Sequence, residues 1–210
     1  RGTGVVGYNV QIAVDSKHHL IVAQEVTNVG HDRTALYSMA ELAREAIDEA
    51  DLIAIADRGY YTGKEILACD TAGIQTLLPK SHTSGNRSKG RFEKQDFRYL
   101  AEVDEYECPA GERAVYRFTR EEKGQAIRRY WSSACIGCPI KARCTPSDYR
   151  RISRFEYEAV LDKVQMHLDN APQAMSVRRQ TVEHPFGTLK AWMGSTHFLT
   201  KTQPKVSTEM

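Results

Sequence analysis

The feature that most constrains this chain is the change of hydrophobic period along residues 7–79. In residues 7–15, GYNVQIAVD, the alternation of Tyr8, Val10, Ile12 and Val14 predicts a strand with one buried face. A polar turn at 16–19 and a second β-rich run at 20–28, LIVAQEVTN, predict a hairpin. From Asp32 the period lengthens. Leu36, Met39, Ala40 and Ala43 stand at i, i+3, i+4 and i+7, which predicts a helix to about Asp48 with Asp32 as its N-cap. Residues 52–56, LIAIA, are wholly apolar, suit a strand covered on both faces, and end on Asp57. Thr62 and Glu65 fit a capping box opening a helix to about Thr71, which Gly73 stops, and residues 74–78, IQTLL, return to strand. The order strand, strand, helix, strand, helix, strand specifies an α/β core in which helices flank a mixed sheet.

The pattern changes at Pro79. Residues 81–90 are polar and rich in Gly and Ser, as a linker is, and residues 91–150 hold four of the five cysteines with little helical periodicity. We read three segments: 1–80 as the first part of the core, 81–150 as an insertion of short strands and loops, and 151–210 as the helical second part. Ser153 and Glu156 fit a second capping box, opening a helix to about His167, and a further helix covers roughly 175–193. Both chain ends are read as truncated.

Charge follows the same division. Residues 1–80 carry a net −4, residues 81–150 a net +4 and residues 151–210 a net +2. An acidic front beside a basic remainder suits a metal-binding site next to a phosphate-binding surface, although unevenness of this size also arises by chance. With 41% hydrophobic and 27% charged residues the composition is globular, and no apolar run approaches the ~20 residues of a membrane span.

Three acids stand out. Asp15 and Asp57 each end an apolar strand, where open α/β sheets commonly bind ligands. A lone Asp in that position is more often a turn former, so the third acid matters. In RRQTVEHPFGTLK, Arg179, Glu183 and Lys190 are spaced 4 and 7 apart and fall within roughly 40° on one α-helical face. Arg178 adds a cation beside them. A solvated Arg–Glu pair explains the same spacing, and the shared face requires the helix to persist through Pro185.

The combination of YNVQIAVD, ADRGYY and R-x3-E-x6-K resembles bacterial insertion-sequence transposases of the DDE type over nearly the whole chain. The resemblance implies an RNase H-like fold with a cysteine-bearing insertion. It implies Asp15, Asp57 and Glu183 as catalytic ligands of two Mg²⁺ (or Mn²⁺) ions about 4 Å apart, which would activate the attacking oxygen and stabilise the leaving oxygen. It further implies cleavage at transposon ends and strand transfer into target DNA, with Arg179, Lys190 and Arg178 contacting phosphates. Also implied are a homodimer in the full-length protein and a bacterial cytoplasmic, nucleoid-associated location. The family signature has Tyr where this chain has Ser176. Two alternatives stay open: a catalytically inactive zinc-containing DNA-binding remnant, and a nuclease that cuts without joining.

An odd number of cysteines without an export signal makes disulfides a poor default. Cys108 followed by Cys135-x2-Cys138-x5-Cys144 predicts a structural Cys₄ zinc site, with free thiols or oxidised pairs as the alternatives. Cys69 sits among apolar neighbours and reads as core.

Overall fold

A computed structural model describes residues 7–80, 85–194 and 197–210. Its contacts divide the chain into two units, residues 1–81 with 159–210, and residues 82–158.

In the first unit, strand β1 (Asn9–Val14) pairs antiparallel with β2 (Ile21–Thr27). Helix α1 (Leu36–Ile47) buries Leu36, Met39, Ala40 and Ala43, the four positions of the predicted stripe. Strand β3 (Ile53–Ile55), helix α2 (Gly63–Thr71) and strand β4 (Gln75–Leu77) follow, and β3 and β4 pair in parallel. Gly73, at φ 75°, turns the chain out of α2, a conformation that costs glycine nothing. Ile66 and Cys69 of α2 are fully buried with Leu78. Residues 7–79 therefore hold the predicted order of elements.

Several local expectations are corrected. Asp32 does not cap α1; its carboxylate accepts hydrogen bonds from Asn9 and Gln11 instead. Thr62 makes no side-chain cap for α2, and Glu65 accepts from the Tyr37 N–H in the first turn of α1. Glu65 thus satisfies an orphan donor of the neighbouring helix rather than its own. The expected single mixed sheet is two separate two-stranded ladders, β1–β2 and β3–β4. A cavity of about 210 Å³ is lined by both, by Ile12 and Val14 of β1 and Ile53 and Ile55 of β3. Ile53 is 53% exposed, so β3 is not covered on both faces.

The second unit is a five-stranded antiparallel sheet in sequence order: β5 (Arg98–Leu100), β6 (Glu105–Glu107), β7 (Arg113–Glu122), β8 (Gln125–Trp131) and β9 (Ile152–Phe155). Phe97, Tyr106, Ala114, Tyr130 and Ile152 form its buried core. Asp104 ties the sheet together. Tyr99 and Tyr130 donate to one of its oxygens at 2.7 Å each, and Arg128 donates to the other at 2.6 Å. Ser153 lies in β9 paired with β8, so the second capping box does not form.

Helix α3 (Glu158–Asp169) begins where the sheet unit ends. Glu158 accepts from the Phe155 N–H, three residues back, at 2.9 Å. In the first unit α4 (Ala174–Gly187) runs through Pro185 without a break and continues as one π-helical turn, Thr188–Trp192. Helix α5 (Gln203–Glu209) buries Val206, and Gln203 donates to the Val26 carbonyl. No helix among the described residues is long and apolar enough to cross a membrane.

Candidate active site

Strand β3 delivers Asp57 to the end of its ladder, and a 3₁₀ turn at Arg58–Tyr60 follows at once. Asp57 is the N-cap of that turn: its Oδ1 accepts from the Gly59 N–H at 2.7 Å. Its Oδ2 accepts from Arg178 of α4 at 2.9 Å. The carboxylate is 43% exposed and Arg178 is 22% exposed, so the pair is reachable from solvent yet held from two sides. A carboxylate has about four acceptor sites, and this pairing leaves capacity for further donors or ligands.

A second acid reaches the same place. A Cβ added to Gly59 would lie 2.9 Å from Asp57 Oδ1 and 3.3 Å from Asp32 Oδ2. Both carboxylates therefore crowd the one position in the turn that has no side chain. Asp32 is fixed by Asn9 and Gln11 of β1, each donating to its Oδ1 at 2.7 Å. Gln11, buried to 3% exposure, in turn accepts from the Tyr60 hydroxyl. Burial first, then the charges of Asp32 and Asp57, push the Tyr60 phenol up to about 12, with Arg178 acting in the opposite sense. The phenol stays protonated at neutral pH and remains a donor.

The alternation of Tyr8, Val10, Ile12 and Val14 predicts one buried face for β1. The Asn9–Gln11 face is covered as well, by a polar network. Two amide side chains two apart in a strand, with an acid just beyond the hairpin's second strand, are the signal for it.

Of the predicted site residues, the structure joins Asp57 and Arg178. Asp15 lies in the β1–β2 turn, where its carboxylate accepts from the N–H groups of Lys17 and His18 and pairs with the His18 ring at 2.6 Å. Those backbone hydrogen bonds hold its pKa below the usual 3.8. Glu183 and Arg179 are exposed on α4. Glu183 comes five residues after Arg178, roughly 140° round the helix, so it does not share the face that holds Asp57. Lys190 falls in the wider π turn, where the α-helical angle count no longer applies, and its ammonium lies 5.8 Å from the centre of the Phe186 ring. Cys108, Cys135, Cys138 and Cys144 line one small cavity in the second unit.

An acid presented at a strand end, paired with an arginine from a distant helix and adjoined by a second acid, leaves a net negative charge that suits a cation, while the arginine keeps further N–H donors for an anion. The family model described as Transposase DDE domain matches residues 1–210, and the chain belongs to that family. No curated protein and no solved structure matches it. Membership makes DNA the substrate of the family's chemistry, which normally employs divalent metal ions. Among the described residues, no group of three or more His, Cys, Asp or Glu side chains is placed to hold a metal ion.

Proposed function

We propose that this domain cleaves phosphodiester bonds at transposon ends and transfers the freed strand into target DNA, with Asp57 at the centre of the site. The observation that carries the reading is the placement of Asp57 at the end of β3, between the Gly59 N–H and Arg178, with Asp32 beside it. An RNase H-like core is part of the proposal. It is supported by the hairpin, helix, strand, helix, strand order and by the parallel β3–β4 pair.

The residues present have distinct tasks in this reading. Asp57 supplies negative charge at a fixed point, where it can orient a water or hydroxyl nucleophile. Arg178 holds that carboxylate and offers its remaining N–H donors to a DNA phosphate. Tyr60, Gln11 and Asp32 fix the turn that follows Asp57. Asp15 and Glu183 belong to the reading through the sequence motif alone, and Arg179 and Lys190 are its exposed phosphate contacts.

The test uses the full-length protein, a duplex carrying the element's own ends, a target plasmid and Mg²⁺ or Mn²⁺. The reading expects nicked products with free 3′-OH ends, followed by products joined to the plasmid. Nicking without joining would reduce the activity to that of a nuclease, and no nicking at all would remove the enzymatic reading.

A further inference from the structure

We propose that the second unit holds one structural zinc ion, bound by the thiolates of Cys108, Cys135, Cys138 and Cys144. The four cysteines come from segments up to 36 residues apart in sequence, yet all line the same cavity, of about 30 Å³. None of them is in a disulfide.

Tight turns present each of them. Cys108 opens the β6–β7 turn, where its carbonyl accepts from the Gly111 N–H at 2.8 Å and its own N–H reaches the Glu112 carbonyl at 2.9 Å. Cys135 lies in the 3₁₀ turn Ser133–Gly137, whose N-cap is Ser132, and Cys138 follows that turn directly. The Cys138 carbonyl accepts from Lys141, and the Lys141 carbonyl accepts from Cys144 at 2.9 Å. The backbone thus brings all four to one place, and what remains is for the side chains to close in.

Zinc bonds sulfur at about 2.3 Å and prefers four ligands in a tetrahedron. In this conformation the thiols surround the cavity without forming a ligand set, so binding requires them to draw inward. Each thiol gives up its proton to solvent as its sulfur bonds the ion: Zn²⁺ and four thiols become a tetrathiolate complex of charge −2 and four released protons. Lys141 and Arg150 line the same cavity and would offset that charge.

There is also a need for such a tie. Among the described residues the buried hydrophobic cluster of this unit has five members, and Cys108 and Cys144 already pack against it. Small domains with cores of this size commonly depend on a metal or disulfides to stay folded. Cys69 provides an internal contrast. It is fully buried in α2 of the other unit, with no second cysteine in that unit.

The test is metal analysis of the whole chain, purified under reducing conditions without added metal. About one zinc per chain is expected for a single Cys₄ site. Titration with a mercurial should release that zinc as four thiols react. Cys138→Ser and Cys144→Ser should lose the zinc, whereas Cys69→Ser should keep it. Should those variants fail to fold, the wild-type protein reconstituted with Co²⁺ gives the deciding readout, a thiolate-to-cobalt charge-transfer absorption. Folded protein with negligible zinc, no cobalt band and freely alkylated cysteines overturns the proposal, as does iron in place of zinc. The outcome is independent of the catalytic reading: zinc-loaded protein that leaves DNA intact would sink that reading and spare this one.

Discussion

At Gly59 the geometry around Asp57 leaves no room for a methyl group. The nearest atom to an added Cβ is the Asp57 carboxylate oxygen at 2.9 Å, closer than real contacts come. That oxygen is the end of a short side chain and can swing away, at the cost of the cap it makes, so Gly59→Ala should lower stability by about 0.5–2 kcal/mol. The swing breaks the hydrogen bond from the Gly59 N–H and misplaces the carboxylate, and a small misplacement of a reacting group can cost about 10²-fold in rate. Thermal melting and end cleavage measured on the same preparation check both halves; loss of stability with activity retained would contradict the placement. Asp104 gives the counterpart in the sheet unit. Burial works against its charge, but hydrogen bonds from Tyr130 and Tyr99 and the Arg128 charge outweigh it and hold the carboxyl below its ordinary 3.8. A depressed folded pKa means the stabilisation is fully present above the unfolded value and is lost as pH falls through the folded one. Asp104→Asn should therefore cost about 1 to 2 kcal/mol at pH 7. Denaturant titrations should show that cost shrinking only once pH drops below about 3.8.

At the scale of elements, the strong periodicities were legible and the end signals were not. The stripe of Leu36, Met39, Ala40 and Ala43 is buried along α1 and the apolar run at 52–56 forms β3, so sequence spacing alone reports both elements. End signals depend on which partner wins. Asp32 had a free choice between capping α1 and receiving Asn9 and Gln11, and the two strand amides took it. Glu65 stands where a capping box for α2 needs it, yet it reaches Tyr37 in α1. Glu65→Ala should thus destabilise the protein by about 0.5–2 kcal/mol, the usual cost of losing a helix cap. Amide exchange should locate the loosening in the first turn of α1; exchange rising instead at the start of α2 would contradict the assignment. The Ser153–Glu156 box failed because β8 offered residues 152–155 a full ladder of partners. Pro185 does not break α4: it forfeits the one hydrogen bond its own N–H would have donated a turn back, and the helix runs on to Gly187 before the π turn begins.

At the scale of the whole molecule, the candidate site was partly visible from sequence. Asp57 could be found because it follows an apolar strand, and Arg178 because it neighbours a cation-rich motif. That they form a pair depends on a contact between residues 121 apart in sequence, which no local pattern encodes. Asp32 was hidden for the same reason, since its partners in β1 are more than 20 residues away. The division of charge found along the sequence maps onto the two units only in part, because the basic sheet unit also uses its arginines internally, as Arg98 does with Glu107 and Arg129 with Glu122. The central claim is that Asp57 is the acid on which DNA cleavage turns. The most direct measurement is the rate of transposon-end cleavage by full-length Asp57→Asn, in a preparation shown to melt and to bind DNA like the wild type. The account predicts a loss of at least about 10²-fold, in keeping with removal of a directly acting acid or base. Cleavage at the wild-type rate would contradict it.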